Sequence, residues 1–318
     1  MASASANDTT KNVFDDGKYQ TVLLKAESGS CCSKSSKVPV PPPRPLLIAT
    51  PSEAGEFPLL VFLHGYLLCN SFYSQLIQHI ASHGFIVIAL KLYTLAGSNA
   101  NVDINSTVAT TNWISEGLHY LLPQHVQPNM RKLGLVGHSR GGKAAFALVL
   151  QKAATSLKFS ALIGIDPVDG ICRGLQTPPP VLTYVPHSFD LDMPAMVIGT
   201  ELGEMGKNIL CCIPLPAPAP KGVNHEDFFN ECQKPACHFF VKGYGHVDML
   251  DDDIGLMGIA LNMICSHGNS RKPMRRFVGG VAVAFMKAYL LGDDSELMAI
   301  RDGQETAPVE LKAIEFLE

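Results

Sequence analysis

No apolar run in this 318-residue chain reaches the roughly 18 residues that a membrane-crossing helix needs, so no transmembrane segment is expected. Long basic blocks are missing too. With a net charge of −4, nothing in the composition points to nucleic acid or an anionic membrane surface as the main partner. Internal repeats are absent. The first 18 residues contain no arginine and carry Asp8, Asp15 and Asp16, whereas organelle transit peptides are Arg-rich and poor in acids. This favours the cytosol. No secretory signal pattern precedes the nine cysteines, which are odd in number and include two adjacent pairs, so free thiols in a reducing compartment are expected. Cys232, Cys237 and His238 lack a second ligand cluster, and no metal site is expected.

What is present is a large apolar fraction, 47% against 17% charged, enough for a sizeable core. The small polar residues 1–18 read as a flexible N-terminal segment, and 19–318 as one domain. Apolar runs at 20–25, 46–50, 57–63, 85–92, 132–136, 160–165, 194–200 and 236–242 read as strands. Amphipathic stretches at 71–83, 108–122 and 143–150 alternate with them, and 276–291 reads as a closing helix. Strands alternating with helices predict an α/β fold, a mostly parallel central sheet with helices on both faces. A long Pro/Gly/Cys-rich loop is expected over 203–235, and a polar to mixed tail after residue 291.

The most informative stretch is Gly137-His-Ser139-Arg-Gly141, set between a strand and a helix. A serine nucleophile must sit at the tip of a strained strand-to-helix turn, and glycines two residues to either side let the backbone approach that closely. Ser139 is therefore the candidate nucleophile, with Gly137 and Gly141 as the motif glycines. The helix that follows directs its positive end at the turn, where negative charge would develop.

A serine hydroxyl is a weak nucleophile at neutral pH unless an imidazole takes its proton and a carboxylate orients that imidazole. In this architecture the chain order is Ser, acid, His. Of the histidines after Ser139, His246 sits on a Gly-flanked loop beyond a strand, whereas His187 and His225 fall in polar loops, His238 inside a strand and His267 in a turn. For the acid, Asp166 ends the strand after the nucleophile helix, with Asp169 and Glu201 as alternatives. Two backbone N–H donors should hold the oxyanion, those of Arg140 and Tyr66, with Leu67 as competitor to Tyr66. The acidic group Asp248, Asp251, Asp252 and Asp253 reads as a solvated loop and helix start.

Taken together, Phe62-Leu-His-Gly65, Gly137-His-Ser-Arg-Gly-Gly142, Gly164-Ile-Asp-Pro-Val168 and Gly243-Tyr-Gly-His246 resemble the plant chlorophyllases over about residues 20–290. The resemblance implies an α/β-hydrolase fold, and a serine ester hydrolase that cleaves phytol from chlorophyll through Ser139, Asp166 and His246. It implies no metal or organic cofactor, and a hydrophobic small-molecule substrate with peripheral membrane contact to reach it. Leu67-Leu68 and the segment 213–220 are candidates for an apolar entrance. Two other readings share these residues. One is a general carboxylesterase or lipase on acyl lipids, the other a hydrolase-shaped receptor that binds a ligand without turnover.

Overall fold

The computed structural model describes residues 12–29, 40–92, 97, 99–209 and 213–318. In chain order the elements are β1 (Thr21–Ala26), β2 (Leu46–Pro51), β3 (Gly55–Leu63), α1 (Ser74–Ser82), β4 (Ile86–Leu90), α2 (Asn101–Gly117), β5 (Val126–His138) and α3 (Arg140–Leu150). There follow β6 (Ala161–Ile165), β7 (Ala195–Thr200), β8 (Lys207–Ile209), β9 (Ile213–Leu215), α4 (His225–Glu231), β10 (Ala236–Val241), α5 (Leu256–Ile264), α6 (Arg271–Met286), α7 (Ser295–Arg301) and β11 (Leu311–Leu317).

Nine strands form one sheet in the order β1-β2-β4-β3-β5-β6-β7-β10-β11. The six from β4 to β10 run parallel, and β1, β2 and β11 are joined by antiparallel pairings. Side chains alternate across a strand, so each face collects its own core. Leu60 and Phe62 of β3 pack with Leu76, Ile77 and Ile80 of α1 and Phe277, Val281 and Phe285 of α6. Leu59, Val61 and Leu63 pack on the opposite face with Ile114 of α2, Phe146 of α3 and Phe228 of α4. The α/β expectation therefore holds, with a mostly parallel sheet covered on both sides.

Several expectations need correction. The tail after residue 291 is structured: β11 pairs with β10 along that edge while its Leu311, Ile314 and Phe316 pack against the α6-side core. The loop over 203–235 contains the β8–β9 hairpin and helix α4, whose start is fixed by a capping box between Asn224 and Asp227. Part of the segment expected to be flexible is docked. Val13 and Phe14 are buried, and the Phe14 carbonyl accepts from Arg276 Nε on α6 at 2.6 Å. Residues 1–11 of that segment lie outside the described residues.

Candidate active site

Parallel strands deliver their carboxyl ends to one edge of the sheet, and this edge gathers the three candidate side chains. Ser139 stands between the end of β5 and the start of α3 at φ 55° and ψ −123°, a left-handed conformation costly for a residue with a side chain. The glycines make the turn feasible. A Cβ at Gly137 would collide with the Gly141 carbonyl, and one at Gly141 would lie 2.6 Å from the His64 carbonyl oxygen. The Ser139 N–H donates to the Ile165 carbonyl at 2.9 Å, which ties the turn to β6.

Asp166 follows β6 directly, also at a positive φ of 43°. His246 lies five residues beyond the end of β10. The side chains meet in series: Ser139 Oγ is 2.8 Å from His246 Nε2, and His246 Nδ1 is 2.7 Å from Asp166 Oδ2. Asp166 also accepts from the Thr200 hydroxyl at 2.7 Å and from Thr200 N–H at 3.3 Å. Burial works to raise this carboxyl, but the hydrogen bond and charge of His246, helped by His225 and Thr200, outweigh it and hold it below the ordinary carboxylate range. The acid is thus kept ionised against the imidazole.

The competing residues are occupied elsewhere. Asp169 forms a fully buried ion pair with Lys143 at 2.9 Å and accepts from the Val181 and Leu182 N–H groups. Glu201 accepts from Gly243 N–H and pairs with Lys312 at 3.3 Å. His238 bonds to His225 at 3.0 Å and to Glu315 at 2.8 Å, and His187 to the Cys232 carbonyl at 2.8 Å. The His267 ring bonds the Gly268 carbonyl at 2.9 Å. Cys237 belongs to the α6-side core and Cys232 to the opposite one, so these thiols and His238 do not converge. Among the described residues no group of three or more His, Cys, Asp or Glu is disposed to hold a metal ion, and Cys69, Cys172, Cys232, Cys237 and Cys265 are free.

The oxyanion candidates flank the turn. A Cβ at Gly65 would lie 3.2 Å from Ser139 Cβ, which brings the loop bearing Tyr66 alongside the serine, and Arg140 opens α3. The Arg140 side chain is committed to structure: it bonds Asp103 of α2 at 2.6 Å and the Asn99 carbonyl at 3.0 Å, and covers the Tyr66 ring at 5.3 Å. Of the pair expected to line an entrance, Leu67 is exposed and Leu68 is buried in the core.

A model of the chlorophyllase family matches residues 9–318. The chain belongs to the chlorophyllase family. Among its relatives, Chlorophyllase-2 of Arabidopsis thaliana is 53% identical over 320 residues, covering 98% of this chain and 99% of the relative. Chlorophyllase-1 of the same plant is 44% identical over 275 residues, 85% of this chain and 83% of the relative. "Chlorophyllase-1, chloroplastic" of Citrus unshiu is 40% identical over 315 residues, 97% of this chain and 90% of the relative. That name places the citrus relative in the chloroplast, and the cytosolic expectation finds no support among the relatives.

Within this chlorophyllase-family chain, three residues escaped the sequence reading. Thr200, at the end of β7, holds Asp166. His138 and Tyr73 form a buried chain in which Gly65 N–H donates to the Tyr73 hydroxyl at 3.1 Å, Tyr73 meets His138 Nδ1 at 2.7 Å, and His138 Nε2 meets the His246 carbonyl at 2.8 Å. A carbonyl can only accept, so Nε2 carries the proton and the tyrosine donates to Nδ1. Burial, then the neighbouring His246 charge, push the His138 pKa down to about 3, which keeps this ring neutral.

The acidic group also departs from expectation. Asp248 and Asp251 are buried. Asp248 accepts from Gly245 and Gly268 N–H at 2.7 Å each, and Asp251 caps α1 by accepting from the Ser74 and Gln75 N–H groups at 3.0 and 2.9 Å. Among the described residues no helix is long and apolar enough to cross a membrane.

Proposed function

We propose that this protein hydrolyses the phytyl ester of chlorophyll to chlorophyllide and phytol, with Ser139 as nucleophile, His246 as base and Asp166 as the acid that orients it. The single observation that carries the residue roles is the unbroken run of bonds from Ser139 Oγ through His246 to Asp166, at 2.8 and 2.7 Å. Family membership carries the substrate. As Ser139 Oγ bonds to the ester carbonyl carbon, its proton passes to His246 Nε2, and the tetrahedral oxyanion is held by the Tyr66 and Arg140 N–H groups. The carbon–oxygen bond to phytol then breaks, and His246 returns the proton to the departing alkoxide. Water repeats the sequence on the acyl-serine and releases the carboxylic acid of chlorophyllide.

The receptor reading is disfavoured, because a protein that only binds has no need of an aligned triad on a strained turn. The chloroplast named for the citrus relative suits a chlorophyll substrate. Incubating purified protein with chlorophyll tests the reading. A pigment that leaves the organic phase for the aqueous phase is the expected result, and labelling of Ser139 by a serine-directed phosphonate should block it. Faster turnover of simple acyl lipids with no release of pigment would assign the chain to the lipase reading.

A further inference from the structure

Among the described residues the exposed Phe, Tyr and Trp rings are those of Tyr66, Tyr120 and Tyr289. Tyr120 and Tyr289 stand past the C-terminal ends of α2 and α6, whereas the loop that bears Tyr66 lies against Ser139. A large aromatic side chain left to water beside a candidate nucleophile marks a surface that meets a ligand.

The peptide unit that carries Tyr66 is pinned. The Gly65 carbonyl accepts from His64 Nδ1 at 2.9 Å and from Leu68 N–H at 3.2 Å, and His64 Nε2 in turn accepts from Leu92 N–H at 3.0 Å. Because the peptide is planar and trans, the Tyr66 N–H faces away from that carbonyl. The ring is pinned as well. Arg140 lies over it with the central guanidinium carbon 5.3 Å from the centroid, and the guanidinium is held by Asp103 and by the Gly97 and Asn99 carbonyls. Asp103 is wholly buried and Arg140 is 8% exposed against 46% for Tyr66, so solvent reaches the ring from the face that the cation leaves open.

We propose that the open face of the Tyr66 ring receives the flat macrocycle of the acyl group, with Arg140 as the positioning residue behind it, and that this stack selects planar aromatic esters over simple acyl chains. The proposal rests on the hydrolase reading above for its substrate. Contact follows from connectivity: the oxygen bound by the Tyr66 N–H belongs to the ester carbonyl, which a short methylene arm joins to the macrocycle. Planarity follows from the cation. Two π faces repel through their like quadrupoles, and a guanidinium on the far side of one ring offsets its negative charge and eases the stack. A ring already held in place also loses less freedom on binding. An alkyl chain gains nothing from a cation behind the ring, and a leucine would serve it as well.

Binding of chlorophyllide, followed by its fluorescence, is the test, with steady-state kinetics on chlorophyll and on a soluble short acyl ester alongside. Tyr66→Leu keeps an apolar side chain and removes the ring. It should raise the Kd for chlorophyllide and the KM for chlorophyll by about three- to tenfold, whereas Tyr66→Phe should bind chlorophyllide as tightly as wild type. The ratio of kcat/KM for chlorophyll to that for the short ester should fall by the same factor in Tyr66→Leu. Asp103→Asn, which loosens the guanidinium, should lower that ratio in the same direction. Equal losses on both esters in Tyr66→Leu, with chlorophyllide binding intact, would overturn the proposal, since the residue would then act only through its main chain. Weakened inhibition by phytol in place of weakened chlorophyllide binding would overturn it too, assigning the ring to the alcohol. A wild-type ratio in Asp103→Asn would overturn the role given to Arg140. Failure of the wild type to cleave either ester would count against the hydrolase reading, and the chlorophyllide Kd of the Tyr66 variants would still decide the stacking.

Discussion

The ring of His138 donates from Nε2 to the main-chain oxygen of His246 at 2.8 Å, so the residue preceding Ser139 steadies the loop that carries the candidate base. Tyr73 extends the link to Gly65 on the oxyanion side. Tyr73→Phe removes a hydroxyl that accepts from Gly65 N–H and donates to His138 Nδ1, and the loss of these buried bonds costs about 1–3 kcal/mol. Steady-state kinetics should show kcat down by about 10–100-fold, the scale of a small misplacement, with phosphonate labelling of Ser139 retained. Full activity with unchanged thermal stability would show the link to be idle.

Replacement within the triad should separate the acids. Ser139→Ala is expected to lower kcat by about 10⁶-fold, and Asp166→Asn by about 10⁴-fold with the fold intact. Asp169→Asn should behave differently, since it strands the Lys143 ammonium in the interior and costs about 3–5 kcal/mol of stability. Its folded fraction should keep its activity, and Glu201→Gln should be near wild type in both respects. Denaturant titration beside kinetics on the same samples checks all of these.

Stability should fall on mild acidification. His64, His138 and His225 are buried, and burial brings their pKa values down from 6.5 to about 4, 3 and 4. Below pH 6.5 the unfolded chain takes up protons that these rings refuse, so unfolding is favoured as pH falls towards 4, by up to about 1.4 kcal/mol per unit for each ring. The Asp103 and Asp248 carboxyls, raised by burial, act in the opposite sense at the acid end of that range. Melting temperatures measured between pH 7 and 5 should drop, with little change attributable to these rings between pH 7 and 8.

Gly141→Ala tests the turn itself. Its Cβ would press on the Leu63 and His64 backbone, which cannot give way without moving the oxyanion loop. Loss of both esterase activity and phosphonate labelling is expected, whereas Ala at the unencumbered Gly97 should leave both intact.

The parts legible in the sequence were those set by short-range rules. Uninterrupted apolar runs gave the central strands, and the spacing around Ser139 together with the order Ser, Asp, His led to the three side chains that meet. Contacts made across long separations were not legible. The pairing of β11 with β10 spans some 70 residues, from Ala236–Val241 to Leu311–Leu317, and a half-exposed edge strand has no distinctive pattern. Asp251 looked solvated because its partners, Ser74 and Gln75, lie about 176 positions away. His138 was hidden by its neighbour, since the motif draws attention to the serine. Helix α5 escaped because its apolar residues face outward, against the usual pattern for a surface helix.

The antiparallel closure by β11 bears on how this protein is handled in the laboratory. Lys242 N–H, just past β10, donates to the Glu310 carbonyl at 2.9 Å, and His238 holds Glu315, so the far terminus clamps the strand that leads to His246. Trimming the final eight residues, or crowding them with an affinity handle, would unzip that margin and bare a sticky strand. A preparation shortened at this end would then lose esterase activity through aggregation while its serine turn remained chemically whole.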